Sequence, residues 1–233
     1  MMRFEAMKRL RLSLMPAVLG LLLWVSPAGA ADFTTYRDFR FGMSLDAAVK
    51  LAGAQATDIR VVQRRPALIQ ELEWRPGYAY GAAARVDPVR EGVLSFYNGE
   101  LFEIVTTYDG ARIEGLTETD MIEAISQTYG PAARPETRIR YRSNYGNSTA
   151  VLAQWQKEEH SNALVQTGDR ASFALILSQK RLAGLARTSM VEAARLDALE
   201  APQRAIDRRK QQDADTQLAL DKLRAANRPN FRP

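Results

Sequence analysis

The amino-acid sequence predicts an α+β fold of two tandem units, each a helix packed on an antiparallel four-stranded sheet, with a C-terminal helical extension. Three observations carry this expectation. Helix openings of one design occur twice, in "FRFGMSLDAAVKLAG" at 39–53 and in "IEGLTETDMIEAISQTYG" at 113–130. Each is followed by runs of β-rich sequence that hold one tryptophan, Trp74 or Trp155. Beyond residue 187 the chain turns charged and poor in apolar anchors, the pattern of a solvated helix or tail.

Residues 1–30 read as a cleavable leader. Arg3, Lys8, Arg9 and Arg11 precede an apolar run over 12–25, and "SPAGAAD" at 26–32 places Ala28 and Ala30 at small-residue positions, with cleavage expected after Ala30. The run contains Pro16 and falls short of the roughly 20 residues that a spanning helix needs. No later run is apolar enough to cross a bilayer, so the mature chain is expected in the periplasm with no transmembrane segment. Cysteine is absent, which removes disulfides and the thiol to which a lipoprotein anchor attaches.

The formal net charge of +5 is concentrated at the ends. Residues 1–30 hold four basic and one acidic residue, 31–186 hold 18 and 19, and 187–233 hold ten and seven. A near-neutral body, together with export, argues against nucleic acid as a partner.

In the first unit, 33–110, Ser44 caps a helix whose stripe is Leu45, Ala48, Val49 and Ala52, and Gly53 closes it. "DIRVV" at 58–62 and "LIQELEW" ending at Trp74 read as strands. "GVLSFYNGELFEIVTTY" at 92–108 reads as a hairpin, because Asn98-Gly99 supplies the positive φ angles of a two-residue type I′ turn. In the second unit, 111–182, Thr117 caps, Asp120 stands at the capping-box position, and Met121, Ile122 and Ile125 form the stripe up to Gly130. "RIRYR" at 138–142, "AVLAQW" ending at Trp155, and two runs within 162–179 turning at Gly168-Asp169 complete it. In the tail, 187–233, Ser189 and Glu192 fit a capping box and Pro202 is expected to interrupt the helix. The remainder reads as a charged helical or partly disordered extension.

Two tandem units of helix plus four-stranded antiparallel sheet, opened by Gly-Met-Ser and Gly-Leu-Thr, resemble the β-lactamase inhibitor proteins. Each unit is also similar to the small SmpA/OmlA-type outer-membrane assembly lipoproteins. The likeness covers about residues 33–181. It implies protein binding through a sheet face, and it carries no individual functional residue over. The inhibitors have disulfides and the lipoproteins a lipidated cysteine, both of which this chain lacks.

A turn at Asn98-Gly99 pairs Tyr97 with Glu100, Ser95 with Phe102 and Val93 with Ile104 on one side of the hairpin, and Phe96 with Leu101 and Leu94 with Glu103 on the other. Both sides are thus substantially apolar, while one helix covers only one of them. The uncovered side, with Tyr97 and Phe102, is either sealed by another part of the chain or offered to an envelope protein partner. The long connection at 75–91 adds Tyr78 and Tyr80 as candidate contacts. Arg138, Arg140 and Arg142 alternate along one strand. They fit either an anion-binding stripe for envelope lipid or glycan, or a charged edge that blocks aggregation.

Chemistry has less support. His160, the only histidine, reads as a surface turn residue. Glu71 and Glu73 share one face of a strand, a spacing that any alternating charged strand produces. No motif for a nucleophile, a phosphate loop, a metal or a cofactor occurs. The sequence therefore predicts a non-enzymatic interaction module, with anionic-ligand binding as the alternative.

Overall fold

The computed structural model describes residues 32–76, 87–135, 140–142, 148–167, 172–230 and 232. In chain order the elements are β1 (Thr35–Tyr36), β2 (Phe39–Arg40), α1 (Leu45–Ala52), β3 (Ile59–Gln63), β4 (Ile69–Trp74), β5 (Val89–Tyr97), β6 (Glu100–Tyr108), α2 (Glu118–Tyr129), β7 (Arg140–Arg142), β8 (Ser148–Gln156), β9 (His160–Thr167), β10 (Ser172–Gln179) and α3 (Lys180–Asn227).

Both short helices open as their sequences dictate. The Ser44 hydroxyl accepts from the Ala47 amide at 3.3 Å, and Gly53 ends α1 in the left-handed region at φ 61°. At α2 the capping box is reciprocal: the Asp120 amide donates to the Thr117 hydroxyl at 3.2 Å, and the Thr117 amide donates to the Asp120 carboxylate at 2.8 Å. Each cap satisfies a helix-end donor that would otherwise be orphaned.

Eight antiparallel strands form one sheet in the order β3-β4-β5-β6-β10-β9-β8-β7, and β1 and β2 form a separate small hairpin. The strands expected as two sheets of four are therefore joined edge to edge, through pairing of β6 with β10. Residues 31–233 form one compact unit. The Asn98-Gly99 turn forms with φ of 49° and 87°, and Tyr97 pairs with Glu100 and Phe96 with Leu101 as the turn requires.

Beyond those two pairs the expected register fails. Ser95 pairs with Glu103 rather than Phe102, and Leu94 pairs with Ile104 rather than Glu103. Phe102 is an extra residue on β6, a bulge that moves every later residue of that strand to the opposite face. The correction is physically sensible. It places Ile104 beside Leu94 in the main core and turns Glu103 away from it.

One face of the sheet carries Leu72, Leu94, Phe96, Leu101, Trp155, Leu164, Leu175 and Leu177, packed under Ala48 of α1 and Met121, Ile122 and Ile125 of α2. Trp155 is fully buried there, and its indole N–H donates to the Gly130 carbonyl at 3.0 Å. Trp74 lies on the same face in a different setting. Its ring lies against Gly92, where an added Cβ would meet the ring at 2.7 Å, so only glycine fits without repacking.

The second face carries two apolar clusters. Ile69 and Phe102 pack with Leu182, Ala183 and Ala186 of α3, and Val151, Val165, Ala174 and Ile176 pack together further along. Between them runs a row of laterally paired polar residues, Glu71, Ser95, Glu103, Ser178 and Ser161.

α3 differs most from expectation. It starts directly at the end of β10, runs 48 residues, and passes through Pro202 without a break. A proline inside a helix removes one hydrogen bond and crowds the preceding turn, at a cost of about 3 kcal/mol. Here the preceding turn is clamped. Arg65 donates to Glu200 at 2.6 Å through both Nη atoms and to Asp197 at 3.3 Å, and Arg204 reaches both the Asp197 carboxylate and its carbonyl.

Replacing Phe102 with alanine removes the largest side chain that the sheet offers to α3. Phe102→Ala is expected to lower unfolding stability by about 3 to 5 kcal/mol in urea titration; a loss below about 1 kcal/mol would mean that α3 is not seated on this residue.

Candidate interaction surface

The candidate surface is built on α3, and its anchoring begins at the helix start. The Gln179 side chain accepts from the Leu182 amide at 2.7 Å, which caps the helix as it leaves β10. Leu182, Ala183, Ala186 and Ser189 then fall on one side of the helix and are buried. Alanines let the helix axis approach the sheet closely, and Leu182 fills the space beside Phe102 and Ile69. Gln63 on the outer strand β3 donates to the Ser189 hydroxyl at 2.7 Å, and Arg65 then takes Glu200. Glu200 is held below the usual carboxylate range chiefly by its hydrogen bond from Arg65, and Asp197 chiefly by that from Arg204.

Past this clamp every residue from 201 to 230 is exposed. An arm of about 30 residues at 1.5 Å rise is roughly 45 Å of helix with no apolar cover. It is supported locally by side-chain pairs one turn apart: Gln203 donates to Asp207, Gln211 to Asp215 and Gln217 to Asp221. Such pairs stabilise an isolated helix by a few tenths of a kcal/mol each. The arm nevertheless presents Ile206, Leu218, Leu220 and Leu223, with Leu199 just before it, each at least half exposed.

A second constellation lies on the other face of the sheet and was not legible in the sequence. Arg37 stands in the β1–β2 turn at φ 54°, a left-handed value unusual for arginine. Its guanidinium donates to both oxygens of Asp87, at 2.6 and 2.8 Å, and lies 5.1 Å from the Trp74 ring centroid. Arg37 holds the Asp87 carboxyl below its ordinary value. Beside it, burial pushes the Tyr36 and Tyr108 phenols up, and Tyr129 is pushed up to about 12 by burial first and then by Tyr36. Phenols so placed stay protonated at neutral pH and cannot serve as bases there. The arrangement fastens the N-terminal hairpin to the sheet. Only the bidentate geometry of Arg37 and Asp87, fifty positions apart, reveals it.

The residues singled out from sequence are dispersed. Phe102 is 2 % exposed beneath α3 and closed to any partner while the helix is docked, and Tyr97 is half-buried at the margin of the same cluster. Arg140 and Arg142 lie on β7, which among the described residues pairs with β8 alone and so stands last in the sheet order. Tyr78, Tyr80, Arg138 and the Gly168-Asp169 turn lie outside the described residues. Glu71 is buried with Arg60 at 2.6 Å, whereas Glu73 is exposed and pairs with Arg75, so the two carboxylates have separate partners. His160 is not a surface turn residue. It opens β9, is half-buried, and stacks 5.4 Å from the Phe41 ring, and its burial lowers its pKa.

His160 and Phe41 line an open cavity of about 300 Å³ with Arg40, Glu100, Glu159 and Arg181. A second, of about 650 Å³, lies beside Leu51, Trp74 and Arg75. The first mixes both charge signs and favours no ligand class. Among the described residues no three His, Cys, Asp or Glu side chains converge as metal ligands. Asn162 is buried beside Trp155 and Leu177, and neither of its side-chain amide atoms has a partner among the described residues. Comparison with protein-family models, with curated proteins and with solved structures finds no match for this chain.

The Arg37–Asp87 fastening has a pH signature. The folded carboxyl titrates below its unfolded value of about 3.9, so its contribution is complete above that pH and is lost as pH falls through the folded value. The stability gap between the wild type and Asp87→Asn is therefore expected to be constant from pH 7 to about pH 4 and to shrink below it. Denaturant titrations across that range check this; a gap unchanged down to pH 2 contradicts it.

Proposed function

We propose that this chain is an exported, non-enzymatic protein-interaction module whose binding element is the arm of α3. The observation that carries the reading is the contrast within one helix. Its first turns are seated on the sheet by Leu182, Ala183 and Ala186, while residues 201–230 are wholly exposed. A helix that is seated at one end and bare at the other holds a long surface at a fixed direction, and the apolar side chains exposed along it are open to a partner.

In this reading the body is two tandem units of helix and four strands merged edge to edge. Support comes from the mirrored strand order about the β6–β10 pair, from the two matched helix openings, and from Trp74 and Trp155 on the same sheet face. The leader-like residues 1–30 support a periplasmic location, for which an envelope protein is the partner this reading assigns. Because α3 covers Phe102, the docking role passes from the bare sheet face to the helix that covers it.

A second reading, binding of anionic envelope lipid or glycan, is favoured by one observation. Arg140 and Arg142 both belong to β7, the outermost strand of the sheet.

Removal of residues 201–233 separates the two. The truncated protein is expected to keep the urea midpoint of the full chain and to lose its protein crosslinks in the envelope. Salt-sensitive binding to anionic vesicles, unaffected by the truncation, would favour the arginine edge instead. Protein crosslinks that survive the truncation would refute the arm as the binding element.

A further inference from the structure

Resting on the reading of α3 as the binding element, the structure points to the arm's partner. We propose that it is the arm of a second copy of this chain, paired antiparallel about a two-fold axis at Gln211.

One acidic side chain of α3 stands apart from the others. Seven acidic residues lie on α3, and six of them, Glu192, Asp197, Glu200, Asp207, Asp215 and Asp221, accept a hydrogen bond from a side chain of the same protein. Asp213 is the exception among the described residues, and Arg209, one turn before it, is among the arm cations, with Arg208 and Lys210, that make no ion pair there. Asp213 and Arg209 both stand in the arm's apolar seam. Leu199, Ile206, Asp213 and Leu220 recur every seven residues, and Pro202, Arg209, Thr216 and Leu223 follow each of them by three. This is the a/d spacing of a coiled coil, with Asp213 interrupting the first column and Arg209 and Thr216 the second.

The interruption specifies the pairing. In an antiparallel pair centred on Gln211, each a position meets a d position of the partner. Arg209 then meets Asp213, Ile206 meets Thr216, Pro202 meets Leu220 and Leu199 meets Leu223, each twice by symmetry. A parallel pair would instead bury Arg209 against Arg209 and Asp213 against Asp213. Like charges so juxtaposed disfavour that alternative by several kcal/mol. Charge along the arm is mixed: Arg204, Arg208, Arg209 and Lys210 precede Gln211 together with Asp207, so inversion about Gln211 sets Arg209 against Asp213 but Asp207 against Asp215.

Two further features permit the approach. Ala198, Ala205, Ala219 and Ala226 flank the seam immediately before its leucine, isoleucine and asparagine positions and let the helix axes come close. At about 100° per residue, Ile206 and Leu220 also lie roughly opposite the side of α3 that Leu182, Ala186 and Ser189 bury. A partner arm therefore meets no sheet.

Sedimentation of residues 31–233, which form one compact unit, is expected to show a monomer–dimer equilibrium with a Kd on the order of 10 μM. Arg209→Asp alone or Asp213→Arg alone is expected to weaken it by about 30-fold or more, and the double variant to restore it to within about 3-fold. The chain has no cysteine, so orientation is read directly. An oxidised mixture of Ile206→Cys and Thr216→Cys proteins should crosslink to each other in preference to either with itself. A monomer at about 100 μM, single charge variants that associate like the wild type, or preferential self-crosslinking of Ile206→Cys would each overturn the proposal. If the protein is monomeric while arm truncation still abolishes envelope crosslinks, the second copy is wrong as partner and the arm remains the binding element. If both fail, the reading of the arm fails with it.

Discussion

A sheet that is apolar on both faces must be covered on both, and this requirement organises the molecule. α1 and α2 are short, and both are spent on the face that holds Leu94, Phe96 and Trp155. Phe102 and Ile69 on the opposite face need a cover that neither can reach. The chain meets the need by leading β10 straight into α3, with Gln179 capping the helix at the junction. Burying a phenylalanine and an isoleucine is worth about 1.5 to 3 kcal/mol each, which is on the scale of the penalty for Pro202 further along. The same element that completes the core therefore carries the chain away from it.

The polar row on the second face divides that cover. Glu71, Ser95, Glu103, Ser178 and Ser161 run side by side across five strands and separate the Phe102 cluster from the Val165 cluster. Arg60 compensates the buried Glu71, and the Ser161 and Ser178 hydroxyls lie 3.0 Å apart. Buried polar groups are tolerable only when partnered, and a row of them fixes register, because sliding β4 or β6 by one residue would drive Glu71 or Glu103 into the Leu94 core, and sliding β5, β9 or β10 a serine.

How much of this was legible in the sequence depended on the range of the interaction that decides each feature. Ser44, Gly53, Thr117, Asp120 and the Asn98-Gly99 turn act within four residues, and the structure forms each as the sequence implies. The bulge at Phe102 was illegible, since alternation alone cannot tell which of Phe102 and Glu103 turns outward until α3 is present to receive the phenylalanine. The continuity of α3 through Pro202 was hidden for a similar reason: local propensity stops the helix, and Arg65, on a distant loop, holds the turn that local propensity would break. The Arg37–Asp87 pair and the half-buried His160 also depend on contacts between segments remote in sequence. Arg140 and Arg142 read as strand residues from their alternation and lie on β7, and the sheet order alone shows that this strand is an edge.

Amide hydrogen exchange along α3 tests most directly whether one helix both closes the core and extends from it. The account gives amides around Leu182, Ala186 and Ser189 protection comparable with the central strands β5 and β6, and gives residues 203–226 of the isolated protomer weaker, graded protection of a solvated helix. Uniform exchange along the whole helix at rates near those of an unfolded chain would contradict it, because Phe102 would then have no cover and the arm no fixed base.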